Sequence, residues 1–451
     1  MSLNIYFHID ELARDAVVAS ALKKELESRG HKLTYGNRMS TARLLEKFMP
    51  SFDVVIIPRP TFMNAFKSLN ENSKYPPIVI LFSESVGSVV DLNNDKLTLF
   101  GVLDQPFMDG DCPYFKHIAA FLLWGDTTLN RIKKYYPDIV DKFAVVGHPR
   151  HNEKCTKFTI AEPKNEKIRV GFITRQTTLN DFAGRKPIDT ITYSSLRFYR
   201  YYYYNKKTGD FLHNKSNNAI DEVYIEASDI DVMLKIINSL DRDKYEVFLR
   251  VHPREDRHTW IDLVEKHKIN VKFADWRIPF AHWAKSMDYV VGSASTSFFD
   301  CCMLGIKPIS IQNINPVYYE HLKGSYAEEY SSLTEHIDKP DSIDSLLELI
   351  KDKSDSFVPS EEIRAILSLE TDYPNCKSSI SKIVDKCLAL AEANDKNQLA
   401  KYVNLILFNF SFRLLTGVMP VVRWFQRRPE QSSTFFMTRK NIRFIDKLAG
   451  D

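Results

Sequence analysis

The chain has 451 residues and a formal net charge of +3, from 61 lysines and arginines against 58 aspartates and glutamates. With 44% hydrophobic and 26% charged residues it is typical of folded globular proteins, and a disordered or fibrous chain is excluded. Glycine is scarce, at 15 residues, and no repeat unit is visible, which argues against solenoids and propellers. The length suits two or three domains.

The small net charge hides an uneven distribution. Residues 401–451 contain nine basic and three acidic residues, a net charge of +6, which leaves −3 for residues 1–400. A basic tail indicates an anionic partner, either a membrane surface or nucleic acid. The six cysteines form no CxxC pair, and the start of the chain has no apolar signal-peptide core, so we expect free thiols and a cytoplasmic protein.

Strand and helix patterns alternate in the first third of the chain. Short apolar runs predict strands at 4–9, 53–57, 77–82, 121–124 and 143–146, and helical spacing predicts helices at 11–29 and 127–136. This alternation predicts a doubly wound, Rossmann-like α/β domain over residues 1–150.

A polar stretch at 151–168 predicts a linker, and a second α/β series follows it. Strands are predicted at 169–174, 245–251, 289–291 and 307–311, and helices at 229–240, 260–267 and 297–304. The second domain would span 169–396, and a basic amphipathic tail would span 397–451. Two Rossmann-like domains with a cleft between them make the α/β plan called GT-B, although other two-domain α/β enzymes share the pattern.

A tyrosine-rich insertion interrupts the second domain at about 176–220. Long insertions in compact domains are usually functional. Aromatic and basic residues together are suited to stacking on nucleic acid, but no nucleic-acid motif accompanies them. We therefore expect a helical insertion or lid over the cleft and no nucleic-acid partner.

The sequence RVHPRED follows the predicted strand 245–251. Ligands of doubly wound domains bind at the carboxyl ends of strands. Here His252 and Arg254 suit a phosphate, and Glu255 suits ribose hydroxyls. The alternative is a His-Pro turn followed by surface charge.

A hydroxyl-rich segment, GSASTSFFD at 292–300, lies between a predicted strand and a predicted helix. Hydroxyls and free N–H groups at a helix start can bind an anion. The alternative is simple capping by Ser295 or Ser297. Neither a GxGxxG nor a GxxxxGK[ST] motif is present, so the dinucleotide and P-loop classes lack their fingerprints.

Three carboxylates, Glu226, Asp229 and Asp231, lie close to the predicted start of the helix 229–240. A carboxylate held in a cleft can act as a nucleophile on an anomeric carbon. The alternative for Asp229 is a helix cap.

Together, RVHPRED with HTW, IPFAHWAKSMDYVVGSASTSFFD and YIEASD resemble bacterial surface-carbohydrate biosynthesis glycosyltransferases of GT-B fold. The likeness is greatest to the retaining β-Kdo transferases, which use CMP-Kdo in capsule, O-antigen or lipopolysaccharide assembly. It covers about residues 140–315, and the N-terminal domain only by architecture.

The resemblance implies a role for each matching residue. His252 and Pro253 would contact the CMP phosphate, and Glu255 would lie near the ribose or cytosine. Asp229 would be the nucleophile, with Glu226 or Asp231 as reserve. The remaining donor-binding residues would be Arg254 beside His252, the hydroxyls of Ser295, Thr296 and Ser297 on the phosphate, and Arg175 on the Kdo carboxylate.

One phosphate needs less neutralisation than two, so we expect no metal and no cofactor. The DxD-like string at 109–111 lies in a predicted loop. The N-terminal domain would bind the acceptor, a glycan or lipid-linked glycan, and Glu84 would help to activate its hydroxyl, with His8, Asp10 and Asp104 as further candidates.

The sequence therefore predicts transfer of Kdo from CMP-Kdo to a bacterial surface glycan with retention. Transfer of another CMP-ulosonic acid, such as a sialic or pseudaminic acid, and a non-catalytic nucleotide- or glycan-binding scaffold of the same fold are the alternatives. The tail has basic and aromatic residues typical of an interfacial helix, which predicts a protein peripheral to the cytoplasmic face of the inner membrane. A terminal helix packed on the domains is the alternative.

Overall fold

The computed structural model describes residues 2–37, 40–58, 75–82, 88–91, 96–99, 117–156, 166–181, 216–293, 295–315, 317, 331–354, 356–392, 398–426 and 438–450. The chain divides into two compact units. Unit 1 comprises Met1–Phe158 and Leu367–Asp451, and unit 2 comprises Thr159–Ile366.

The strands are numbered in chain order. They are β1 Asn4–Ile9, β2 Lys32–Asn37, β3 Val54–Ile57, β4 Ile78–Leu81, β5 Ser88–Asp91, β6 Lys96–Leu99, β7 Ile118–Leu123, β8 Phe143–Val145, β9 Ile168–Ile173, β10 Tyr245–Arg250, β11 Lys272–Phe273, β12 Tyr289–Gly292 and β13 Lys307–Ser310.

The α-helices longer than about one turn are numbered in the same way. They are α1 Leu12–Ser28, α2 Asp126–Tyr135, α3 Ser216–Ser239, α4 Arg257–Lys266, α5 Phe280–Lys285, α6 Ser297–Leu304, α7 Ile343–Leu349, α8 Glu361–Thr371, α9 Ser379–Glu392, α10 Gln398–Gln426 and α11 Arg439–Gly450.

Unit 1 is built on a six-stranded parallel sheet of order β2-β1-β3-β4-β7-β8, and β5 and β6 form a separate antiparallel pair. The apolar runs VVII of β3 and IVIL of β4 are buried throughout, as parallel strands covered on both faces require. Because β1 pairs with both β2 and β3, the strand order reverses there. Ligands of such sheets bind at this reversal, outside the carboxyl ends of the strands.

Unit 2 repeats the plan with a five-stranded parallel sheet of order β11-β10-β9-β12-β13. Here β9 pairs with both β10 and β12, so the reversal lies between β9 and β12. Strand β9 (IRVGFI) is buried at every position. The prediction of two Rossmann-like α/β units is confirmed.

The predicted strands agree with the structure within about three residues, which is the usual limit for element boundaries. The largest difference concerns α3, which begins at Ser216 rather than at residue 229. Asp229 therefore lies in the middle of a helix and does not cap it. The edge strand β2 (KLTYGN) was not predicted, because it begins with an exposed lysine and contains a glycine and an asparagine instead of a continuous apolar run.

The C-terminal helices complete unit 1 rather than forming a separate tail. Helix α9 is tied to α1 by Arg29, which pairs with Asp385 at 2.5 Å. In α10, Phe408 is fully buried and its ring lies 5.9 Å from Tyr6 and 5.3 Å from Phe52. The predicted second domain ended at 396, whereas unit 2 ends at 366, since these apolar faces bury against the first sheet instead.

Two phenylalanines of α10 should differ sharply in their contribution to stability. Phe408 is 0% exposed and Phe410 is 62% exposed. Phe408→Ala should lower the free energy of unfolding by about 3 to 5 kcal/mol, through lost burial and the cavity left behind. Phe410→Ala should change it by less than about 0.5 kcal/mol. Equal effects in thermal or denaturant unfolding would contradict this packing of α10.

Within the part of the chain that the structure describes, no helix has the length and apolar character that crossing a membrane requires.

Candidate functional site

Four segments of unit 2 leave the sheet at its carboxyl edge. They are residues 174–176 after β9, 251–255 after β10, 293–297 after β12 and 311–315 after β13. The first and third flank the reversal of strand order, which is the expected ligand position in a doubly wound sheet. The predicted donor-binding residues lie on the first three of these segments.

His252 is held in one orientation at the end of β10. Its backbone N–H donates to Thr174 Oγ1 at 2.8 Å, and its ring Nδ1 accepts from the Arg254 backbone N–H at 3.2 Å. Because Nδ1 is the acceptor, the neutral imidazole carries its proton on Nε2. The half-buried ring thus has an N–H donor suited to a phosphate oxygen.

Glu255 is buried and links the segment after β10 to the segment after β9 through hydrogen bonds. Its carboxylate accepts from Thr174 Oγ1 at 2.8 Å, the Gln176 backbone N–H at 2.9 Å and Trp260 Nε1 at 2.6 Å. Burial raises the pKa of Glu255 to about 7, although these hydrogen bonds favour the charged form. The side chain is 0% exposed, so in this arrangement it orients the loops and does not reach a ribose, contrary to the prediction.

Glu226 of α3 holds the loop that follows β9. Its oxygens accept from the backbone N–H groups of Thr178 at 3.0 Å and Leu179 at 2.7 Å, and the residue is 3% exposed. A carboxylate that accepts several backbone N–H bonds is stabilised in its charged form.

Asp229, one turn further along α3, joins the segments that follow β12 and β13. Its carboxylate accepts from Ser293 Oγ at 2.5 Å and from Asn315 Nδ2 at 2.7 Å. Asn315 Oδ1 in turn accepts from Ser228 Oγ at 2.7 Å. Asp229 is 3% exposed, so a buried carboxyl group is held by a hydroxyl and an amide next to the sheet reversal.

Asp231 does not join Glu226 and Asp229. Residues two apart on a helix point about 200° from each other, whereas residues three apart share a face. Asp231 is exposed and pairs with Lys235 at 2.7 Å on the outer side of α3. The structure therefore does not bring Asp231, the predicted reserve nucleophile, to the helix face of Glu226 and Asp229.

The hydroxyl segment opens helix α6. Ser295, Thr296 and Ser297 are all half-buried, and Ser295 Oγ accepts from the Ser297 backbone N–H at 3.1 Å. This bond lies in the turn before α6, whose N-cap is Thr296, and the Thr296 side chain makes no capping bond. The hydroxyls of this segment and the helix start lie at the same sheet edge as His252.

The remaining predicted residues have varied positions. Arg175 is half-buried after β9, where its backbone N–H donates to Gln176 Oε1 at 2.9 Å. Pro253 is half-buried and Arg254 is exposed in the turn after β10. Glu84, Asp104, the string at 109–111 and most of the tyrosine-rich insertion lie outside the described residues.

Unit 1 has a small cleft at the carboxyl edge of its own sheet. His8 on β1 lines it, and its Nδ1 lies 2.5 Å from Thr41 Oγ1 and its Nε2 3.9 Å from Asp10 Oδ1. The cleft is otherwise lined by Phe7, Asp15, Val18, Pro58, Leu81, Phe82, Trp124, Pro149 and Arg150. Aromatic faces beside polar groups are typical of small-molecule sites.

Three functional positions escaped the sequence reasoning: Thr174, Ser293 and Asn315. Thr174 is the last residue of the predicted strand 169–174, and Ser293 lies two residues after the predicted strand 289–291. In the structure they directly follow β9 and β12. Asn315 follows the strand β13 by five positions, and only the tertiary fold shows that it donates to Asp229.

No protein-family model matches the chain, and no curated protein matches its sequence. A solved variant of the wall teichoic acid polymerase TagF is 11% identical, with a TM-score of 0.51 over 88% of this chain and 90% of that chain. The fold is GT-B. At this identity the likeness concerns the fold alone.

Two further solved structures resemble the chain more weakly, with TM-scores below 0.5, and nothing about this protein is concluded from them. Methanocaldococcus jannaschii UDP-GlcNAc 2-epimerase, solved with UDP-GlcNAc and UDP, is 12% identical over 86% of this chain and all of that one, with a TM-score of 0.45. MnaA of S. aureus, solved with UDP, is 11% identical over 85% and 95% of the two chains, with a TM-score of 0.44.

Proposed function

We propose that this protein is a glycosyltransferase that moves a ulosonic acid, Kdo by sequence resemblance, from its CMP-activated form to a bacterial surface glycan. One observation carries the proposal. At the carboxyl edge of the unit 2 sheet, on both sides of its central strand β9, lie an oriented imidazole, a hydroxyl-rich helix start and a buried carboxyl group. These are the groups needed to bind a phosphate and to attack the carbon that bears it.

The charge of this edge supports the proposed donor class. His252 Nε2, the hydroxyls of Ser295 and Thr296, and the start of α6 are donors of modest charge. They suit the one phosphate of a CMP-sugar better than the two of a nucleoside diphosphate, which usually calls for a metal or several cations. Arg175, at the end of β9, is the proposed partner of the sugar carboxylate.

Retention of configuration is proposed to proceed in two displacements through Asp229. First, a carboxylate oxygen of Asp229 bonds to the anomeric carbon while the carbon–oxygen bond to CMP breaks, and the electron pair leaves with the CMP phosphate. The acceptor hydroxyl oxygen then bonds to the same carbon, its proton passes to a base, and the Asp229 carboxylate is released. Ser293 and Asn315 would hold the carboxylate in its attacking orientation.

The unit 1 cleft is the proposed acceptor site. Its lining combines the aromatic residues Trp124 and Phe82 with the polar residues Arg150 and His8, a mixture typical of small-molecule sites. A glycan or lipid-linked glycan is the acceptor class proposed for it.

Calorimetry of nucleotide binding tests the donor class. CMP should bind the full chain more tightly than UDP or GDP, and His252→Ala should weaken CMP binding by about 10- to 100-fold, the value of a hydrogen bond to a charged group. His258→Ala, an exposed histidine on α4, is the matched control and should leave binding unchanged. Preference for UDP would overturn the CMP assignment. CMP binding without turnover of CMP-Kdo or another CMP-ulosonic acid would favour a scaffold.

A further inference from the structure

Helix α10 exposes a row of large apolar side chains to solvent. Their exposed fractions lie between 48% and 62%, and they are Val403, Ile406, Leu407, Phe410, Leu414 and Val418. The spacing of three or four residues places them on one helix face, over about 22 Å of helix length. Monomeric soluble proteins rarely expose a continuous apolar patch of this kind without a binding role.

The opposite face of α10 is already occupied. Phe408 and Phe412 are buried, and the Phe408 ring packs edge-on against Tyr6 and Phe52 of unit 1. The helix is thus apolar on two faces, one inside the unit and one outside. Folding of unit 1 explains the inner face only, so the outer face requires a different partner.

Cations border the exposed face. Arg413 lies on α10 itself, and Arg439, Lys440 and Arg443 are exposed on α11. The Arg439 guanidinium donates to the Arg413 carbonyl oxygen at 3.2 Å, which places the start of α11 beside the C-terminal half of α10. The nearby acid Asp446 pairs with Lys23 at 2.7 Å, so it is already neutralised.

We propose that the exposed face of α10 lies in the plane of an anionic lipid bilayer, with the cations of α10 and α11 on the headgroups. An apolar face bordered by lysine and arginine is the arrangement that interfacial helices use. A second copy of the chain is disfavoured as the occupant, because self-association would bring two basic regions together, each within a segment of net charge +6. This inference does not rest on the proposed transferase activity.

Co-sedimentation of the full chain with vesicles tests the proposal. The protein should bind vesicles of phosphatidylcholine mixed with phosphatidylglycerol, and bind phosphatidylcholine alone much more weakly. The triple variant Leu407→Gln, Phe410→Gln, Leu414→Gln should lower the partition coefficient by about tenfold or more. Because these side chains are exposed, the variant should unfold at the wild-type temperature.

Charge and position controls sharpen the result. Replacing Arg439, Lys440 and Arg443 by glutamine should weaken binding by about fivefold per residue and remove most of its salt sensitivity. Replacing two exposed lysines on α2, Lys133 and Lys134, by glutamine is the matched control for charge and should leave vesicle binding unchanged. Leu369→Gln, at an exposed leucine of α8, is the control for loss of an apolar side chain and should also leave it unchanged. Equal vesicle binding by the wild type and the triple variant would overturn the proposal. So would a concentration-dependent dimer, seen by sedimentation velocity, that the triple variant abolishes.

Discussion

Replacing Asp229 by asparagine should lower kcat for transfer from CMP-Kdo, or from whichever CMP-ulosonic acid is turned over, by about 1,000-fold or more. Asparagine keeps the shape and an acceptor oxygen for Ser293, whose Oγ donates to Asp229 at 2.5 Å. It removes the negative charge that the first displacement requires. CMP affinity should therefore change by less than about threefold, since the nucleotide contacts stay in place.

The control lies on the same helix. Asp231→Asn removes an exposed carboxylate that pairs with Lys235, and its kcat should stay within about twofold of wild type. Steady-state kinetics and CMP calorimetry on both variants separate the two roles open to Asp229. If Asp229 only positions the segment after β12, then Asp229→Asn and Ser293→Ala should lose CMP affinity together while kcat is largely retained. That result would contradict the nucleophile assignment.

A covalent intermediate is the direct signature of this chemistry. With donor present and acceptor withheld, intact-mass spectrometry should detect the sugar on the wild-type chain, and peptide mapping should place it on Asp229. Glu226 is the other carboxylate of the same helix face, but its oxygens accept from the backbone of Thr178 and Leu179. Glu226→Gln should therefore disturb the loop after β9 and leave the adduct on Asp229.

The sheet edges were predictable from sequence because parallel strands need apolar residues on both faces. Short apolar runs such as those of β3, β4 and β9, bounded by turn residues, are typical of such strands, and the residues that follow them gather at one edge. For this reason the sequence alone identifies His252 and the hydroxyl segment at 295–297 as candidate site residues. Both lie at the same edge of the sheet because the strands that precede them, β10 and β12, are parallel to β9.

The partners of the site residues could not be predicted in the same way. Ser293 and Asn315 lie 64 and 86 positions from Asp229 in the chain, and nothing in local spacing pairs them with it. The sequence also placed the start of helix α3 at residue 229 instead of Ser216. Glu226, Asp229 and Asp231 therefore form one cluster at the predicted helix start. Helix geometry, not proximity in sequence, separates Asp231 from Glu226 and Asp229.

The role of the C-terminal region was only half predictable. Its basic, aromatic composition indicates an interfacial helix, but a single amphipathic pattern does not reveal that α10 is apolar on two opposite faces. The buried face, with Phe408 against Tyr6, requires the first sheet to be present. Composition left an interfacial helix and a helix packed on the domains as alternatives. The buried Phe408 shows that α10 packs on unit 1, and contact of its outer face with a membrane stays a proposal.

Glu255 should be the residue of this edge whose loss costs the most stability. Truncation to alanine leaves Trp260 Nε1, Thr174 Oγ1 and the Gln176 N–H without their acceptor, and each unsatisfied buried donor costs about 1 to 3 kcal/mol. At pH 5, Glu255→Ala should lower the free energy of unfolding by about 3 to 5 kcal/mol. Glu265→Ala, an exposed glutamate on α4, is the control and should be nearly neutral.

The loss of unfolding free energy in Glu255→Ala should be larger at low pH than at high pH. Burial raises the pKa of Glu255 from 4.5 to about 7, so between these values the folded chain holds a proton that the unfolded chain has released. Stability from this group is therefore greatest at low pH and falls as pH rises through 7, by up to about 3 kcal/mol at about 1.4 kcal/mol per pH unit. The difference in unfolding free energy between wild type and Glu255→Ala should accordingly shrink from pH 5 to pH 8. A difference that stays constant, or grows, would mean that Glu255 is charged in the folded protein throughout this range and that its hydrogen bonds outweigh burial.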